Sequence, residues 1–109
     1  MANPFEELAQ LDHLVHEPAR LAILTALSAC RTADFLFLQS VTGLSSGNLS
    51  SHLTKLEAAG LLTIEKDFVG RVPRTRVQLT DVGRKTIDRH WQTLKRLKDR
   101  AGRWSPEQE

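Results

Sequence analysis

The segment bracketed by Gly43 and Gly60 constrains this chain more than any other. Within it Leu49, Leu53 and Leu56 fall within about 60° of one another at 100° per residue, the stripe of a helix that buries one face. Ser45 or Ser46 supplies the side-chain oxygen that caps a helix start, and Gly60 the left-handed residue that ends one. Upstream, Asp34 caps a short helix over 35–42 that Gly43 closes in the same way. Two helices joined across Gly43, Leu44, Ser45 and Ser46 have the spacing of a helix-turn-helix, with its second arm expected over residues 46–59.

After Gly60 the period changes from helical to alternating. Leu62, Ile64 and, less regularly, Lys66 and Phe68 alternate; residues 69–73 read as a turn or loop; then Thr75, Val77 and Leu79 alternate with Arg74, Arg76 and Gln78. The expectation is a two-stranded β-hairpin, a wing over residues 66–78, with one apolar and one cationic face. Thr80 or Asp81 then caps a long helix whose stripe is Ile87, Trp91, Leu94, Leu97 (or the stem of Lys98) and Ala101. At the other end, Phe5, Leu8, Leu11 or Asp12, and Val15 have helical spacing, with Glu6 and Glu7 in the first turn. Pro18 suits the first turn of the next helix, and Leu21, Leu24 and Leu27 form its stripe. The chain therefore reads as one mostly α (α+β) domain over 1–109: an N-terminal helix over 4–16, a winged helix-turn-helix core over 18–80, and a C-terminal helix over 81–101. Residues 102–109 are expected to fray.

Charge is distributed unevenly although the net is only +2. Residues 1–30 carry four acids against Arg20, a net of −3; residues 66–76 carry four bases against Asp67, a net of +3; residues 84–103 carry eight bases against Asp88 and Asp99, a net of +6. A basic second half suits a polyanionic partner, though a solvated helix face gives the same pattern. On the helix over 46–59, the side opposite the leucines holds Gly47, Asn48, Ser51, Thr54 and Lys55, small or polar and free of acids. Small residues near a helix start allow close approach in a major groove about 12 Å wide, and Asn can pair with adenine. Arg71, Arg74 and Arg76 on the hairpin suit phosphates or the minor groove.

The run TGLSSGNLSSHLTKLEAAGLL over 42–62 resembles the recognition segment of MarR/ArsR-type regulators of bacteria and archaea. KDFVGRVPRT over 66–75 and LTDVGR over 79–84 resemble their wing and the start of their last helix, and HEPARLAIL over 16–24 their first core helix. The likeness spans roughly residues 13–90 and is closest to the short MarR-like group. It implies a homodimer on a pseudo-palindromic operator in double-stranded DNA; the mechanism expected is steric, a repressor that occupies and blocks a promoter, although the sequence itself does not separate repressor from activator. It implies that Ser46, Gly47, Asn48, Ser51, His52 and Lys55 face DNA from the recognition helix, and that Arg71, Arg74 and Arg76 do so from the wing. Its dimer interface falls on the terminal helices, where Phe5, Leu8, Trp91, Leu94 and Leu97 have no obvious partner within so small a domain.

Other chemistries find little support. The cysteine pair with which many ArsR relatives sense metal is missing from the helix over 34–41, and the lone Cys30 reads as a buried structural thiol. His90 with Asp88, or His13 with His16, lacks a third ligand, so no metal and no cofactor are expected. There is no phosphate loop or nucleophile motif, and on a helix the neighbours Ser51 and His52 point apart, so no enzymatic activity is expected. No signal peptide or membrane span is visible, which predicts a cytoplasmic protein with no membrane partner. An effector is left open. The rival function is a winged helix that binds protein rather than DNA, which an exposed apolar patch in place of a cationic face would favour.

Overall fold

A computed structural model describes residues 3–108 of the chain. The elements run α1 (Pro4–Ala9), α2 (Pro18–Ala29), β1 (Ala33–Asp34), α3 (Phe35–Thr42), α4 (Ser46–Ala58), β2 (Leu62–Val69), β3 (Val72–Leu79) and α5 (Asp81–Gly102), with a single 3₁₀ turn over Pro106–Gln108. Ile23, Leu24 and Leu27 of α2, Leu38 of α3, the three leucines of α4, Leu62, Val77 and Ile87 form the buried core. The helix ends carry the chemistry their residues suggest. Asp34 accepts from the Phe37 amide (2.7 Å), Ser45 from that of Asn48 (3.2 Å), and Thr80 from that of Gly83 (2.9 Å). Gly43, at φ 70°, turns the chain between α3 and α4 in a conformation that a Cβ would strain.

The N-terminal helix stops at Ala9, seven residues short of the expected 16. The side chain of Asp12 accepts from the Leu14 amide (2.9 Å) and its carbonyl from that of His16 (2.8 Å), so local turns replace the helical ladder. Glu17, held extended before Pro18, caps α2 through the amides of Ala19 and Arg20. The sheet has three strands rather than two, in the order β1-β3-β2. Ala33 pairs with Val77 and Asp34 with Arg76, so the two-residue β1 occupies the second edge of β3. Two residues carry no readable period, which is why this strand was invisible in the sequence. The free edge of β2 meets α4, where the Ile64 amide donates to the Glu57 carboxylate (3.1 Å).

Three further expectations are corrected. The buried stripe of α5 is Gly83, Ile87, His90 and Leu97, so His90 is buried where Trp91 was expected, and Trp91 is exposed with its indole N–H donating to Thr25 (2.9 Å). The tail does not simply fray: Trp104 is half-buried and meets Phe5 edge-on at 5.1 Å, beside an Arg100–Glu7 ion pair. Cys30 is half-buried at the C-cap of α2. Among the described residues no helix is long and apolar enough to cross a membrane.

Candidate nucleic-acid interface

With Leu49, Leu53 and Leu56 turned inward, α4 presents Ser46, Gly47, Asn48, Ser51, Thr54 and Lys55 to solvent. The N-terminal half of this face is small, polar and uncharged. The Thr54 hydroxyl is engaged within the helix, donating to the Ser50 carbonyl (2.9 Å). His52 departs from the set. It is half-buried, 3.7 Å from Glu17, and its Nδ1 is shielded without a hydrogen-bond partner. The imidazole lies under the helix flank towards the start of α2 rather than out with Asn48 and Ser51. Burial opposes ionisation of Glu17, but the Ala19 and Arg20 amides, His52 and the Arg20 guanidinium outweigh it and hold the carboxyl below its ordinary range.

The wing is less cationic on its surface than in its sequence. Arg74 grips Asp67 with two parallel hydrogen bonds (Nε–Oδ1 3.0 Å, Nη2–Oδ2 2.9 Å). Arg76 reaches the same carboxylate (Oδ2 3.1 Å) and lies 3.7 Å from Glu65. The Arg74 hydrogen bond, against some desolvation, pulls the Asp67 carboxyl below its usual range, and the reciprocal bond raises Arg74. Both arginines are only half-exposed. Arg71, at the turn after Gly70 (φ 63°), is exposed, and no ion pair holds it among the described residues. Cross-strand register explains the clamp: Asp67 is paired with Arg74 and Glu65 with Arg76, so each acid of β2 faces a base of β3. The sequence pattern, which reads as a loop over residues 69–73, does not show that pairing; the strands in fact continue to Val69 and Val72.

The residues expected at a dimer interface divide. Phe5, Leu8 and Trp91 are exposed, and Leu94 is half-buried. Leu97 is fully buried within its own subunit and has no surface to offer a partner, a correction to its expected role.

The sequence profile of a family described as a winged helix DNA-binding domain matches residues 19–98. The chain belongs to that family. A solved structure of a transcriptional regulator homologue from Pyrococcus horikoshii OT3 has 36% identity, covers 88% of this chain and 94% of its own, and superposes with a TM-score of 0.79. A MarR-family transcriptional regulator from Silicibacter pomeroyi is 29% identical over 96% of this chain and 68% of its own, with a TM-score of 0.65. An uncharacterised protein of Methanocaldococcus jannaschii is 36% identical over 66 residues, 60% of this chain and 71% of that protein. The chain is a MarR-like winged helix protein and a DNA-binding transcriptional regulator. In winged helix terms α3 and α4 are the helix-turn-helix and β2–β3 the wing.

Sequence reasoning missed the His16–His90 contact. His16 Nδ1 lies 3.0 Å from His90 Nε2, tying the segment before α2 to the middle of α5. Desolvation first, and then the nearby His16, lower the pKa of His90, with Asp12 opposing them. His90 also lines a cavity of about 410 Å³ with Asp12, Gln10 and Arg89. No local motif signals this pair, because its members are 74 residues apart.

Proposed function

We propose that the chain is a homodimeric repressor that occupies a pseudo-palindromic operator and blocks a promoter, with Ser46, Gly47, Asn48, Ser51 and Lys55 of each recognition helix entering successive major grooves. The observation that carries this reading is the exposed, acid-free N-terminal half of α4, capped by Ser45 and backed by three buried leucines. A rigid helix with small residues at its start fits a major groove, and its positive end favours a nearby phosphate. Two-fold symmetry then sets half-sites about 34 Å apart, or a multiple of that.

The dimer is supported by shape. A compact chain of this length has a radius of gyration of about 13 Å, whereas this one measures 17.0 Å and extends 66 Å along its longest axis. Phe5, Leu8 and Trp91 leave apolar surface along α1 and α5 that a second copy would cover. The cavity lined by Asp12, Arg89 and His90, between the N-terminal segment and α5, is where an effector would sit.

The test is a salt titration of binding to a duplex by fluorescence anisotropy, followed by operator selection and the Asn48→Ala variant. A log–log slope of about −4 or steeper is expected, and Asn48→Ala should reduce discrimination between operator and random duplex by about 1–3 kcal/mol. Equal losses on both duplexes would remove Asn48 from base reading. A monomer in sedimentation at micromolar concentration would remove the two-fold arrangement.

A further inference from the structure

The end of the wing is apolar. Phe68, Val69 and Val72 are exposed to 70%, 55% and 65%, and none belongs to the buried core. They occupy the last two cross-strand pairs, Phe68 with Pro73 and Val69 with Val72, on either side of the Gly70–Arg71 turn. A hairpin end in water usually carries polar turn residues, and an exposed apolar ribbon end invites aggregation. Folding covers less than half of each of these side chains, so most of their apolar surface is left for a partner.

We propose that the wing tip is an apolar wedge for the DNA minor groove, in which Phe68, Val69 and Val72 press on the sugars and base edges of a deformable step while Arg71 holds the flanking phosphates. This rests on the DNA-binding reading above and assigns to the tip a part that its arginines do not play. An apolar tip alone would equally suit a protein partner; the cations beside it favour DNA. Both acids of the wing, Glu65 and Asp67, have arginine partners, so the surface left at the tip is apolar with the exposed cations Arg71 and Lys66 beside it. An apolar tip rimmed by free cations complements a groove walled by sugars and edged by phosphates. Paired strands lie about 4.8 Å apart before their side chains are counted, and the minor groove is about 6 Å wide, so a ribbon end carrying Phe68 must widen the groove to enter it. Widening costs least at flexible pyrimidine–purine steps and most in stiff A-tracts, which makes the wedge a source of sequence preference without base-specific hydrogen bonds.

The test uses the full-length protein and two end-labelled duplexes of about 21 base pairs, one with central TA steps and one with a central A-tract. Anisotropy gives affinity and energy transfer between the ends gives bending. The wild type is expected to bind the TA duplex more tightly and to bend it. Phe68→Ser with Val72→Ser should bind that duplex about ten-fold more weakly, in line with losing the burial of one large apolar side chain. It should lose the bend and the TA preference, and keep both the salt slope and the urea midpoint. Arg71→Ala should instead lower the salt slope by about one. If the double variant binds and bends like the wild type, the wedge is refuted and the DNA-binding reading stands. If the wild type binds neither duplex at low salt, both fall. If the double variant changes the sedimentation of the free protein while DNA affinity and bending are unaltered, the tip is a contact between copies and the wedge is again overturned.

Discussion

Gly83→Ala is expected to destabilise this protein, against the rule for glycine in a helix. Gly83 is the third residue of α5, and exchanging a helical glycine for alanine ordinarily adds about 0.5–1 kcal/mol of stability. Here a Cβ on residue 83 would stand 1.8 Å from the Leu61 carbonyl oxygen, 2.7 Å from its carbon and 3.1 Å from its Cα. A tolerable contact needs about 3.4 Å, so α5 or the start of β2 must move by about 1.5 Å. No flexible side chain can give way, because the obstacle is backbone. That carbonyl is also fixed by the Thr80 amide (3.0 Å), and the Leu61 amide by the Leu56 carbonyl (3.0 Å). Moving α5 would open the packing of Ile87, which is fully buried. Overpacking of this kind costs roughly 1–3 kcal/mol or more; against the propensity gain, the net loss is expected to be about 2 kcal/mol. With a urea m-value of about 1–2 kcal/mol/M, the midpoint should fall by about 1–2 M. The assay is urea unfolding followed by circular dichroism at one fixed protein concentration, since association shifts the midpoint. Gly102→Ala, at the far end of the same helix with open space around its Cβ, is the control and should not lose stability. A Gly83→Ala midpoint equal to or above that of the wild type would refute the close approach of α5 to Leu61.

Other outcomes follow from single contacts. Thr80→Val keeps the shape but removes a hydroxyl that accepts from Gly83 and donates to the Gly60 carbonyl (2.7 Å); it should cost about 1–2 kcal/mol in urea unfolding. Gly47→Ala meets open space, so stability should rise by about 0.5–1 kcal/mol, while duplex affinity falls if the start of α4 enters a groove. His90 binds a proton less readily folded than unfolded, through burial and His16, so the unfolded chain protonates first as pH falls. Stability should therefore be level above about pH 7.5 and decline as pH drops through the ordinary imidazole value of about 6.5. His90→Gln should flatten that decline between pH 7.5 and 5.5. Glu17 and Asp67 have lowered pKa values, so their contributions are lost only at more acid pH, outside that window.

What depends on near neighbours along the chain is legible before any folding is known. Helix caps at Asp34, Ser45 and Thr80, the left-handed turn at Gly43 and the leucine stripe of α4 are all set within four residues, the range over which backbone amides and helical faces communicate. That range was enough to place the helix-turn-helix and the exposed face of α4. Tertiary structure decided the rest, because those choices join residues far apart. Either His90 or Trp91 could have completed the α5 stripe, since they sit on adjacent flanks of it; packing against His16 selected His90. The wing arginines carry full charge in composition, yet cross-strand register spends two of them on Asp67 and Glu65. Likewise β1 exists only because β3 has a second edge to satisfy, and the cost of a Cβ at Gly83 exists only because Leu61 is packed against it. A periodic pattern specifies which face is apolar, but not which partner meets it or what distance remains.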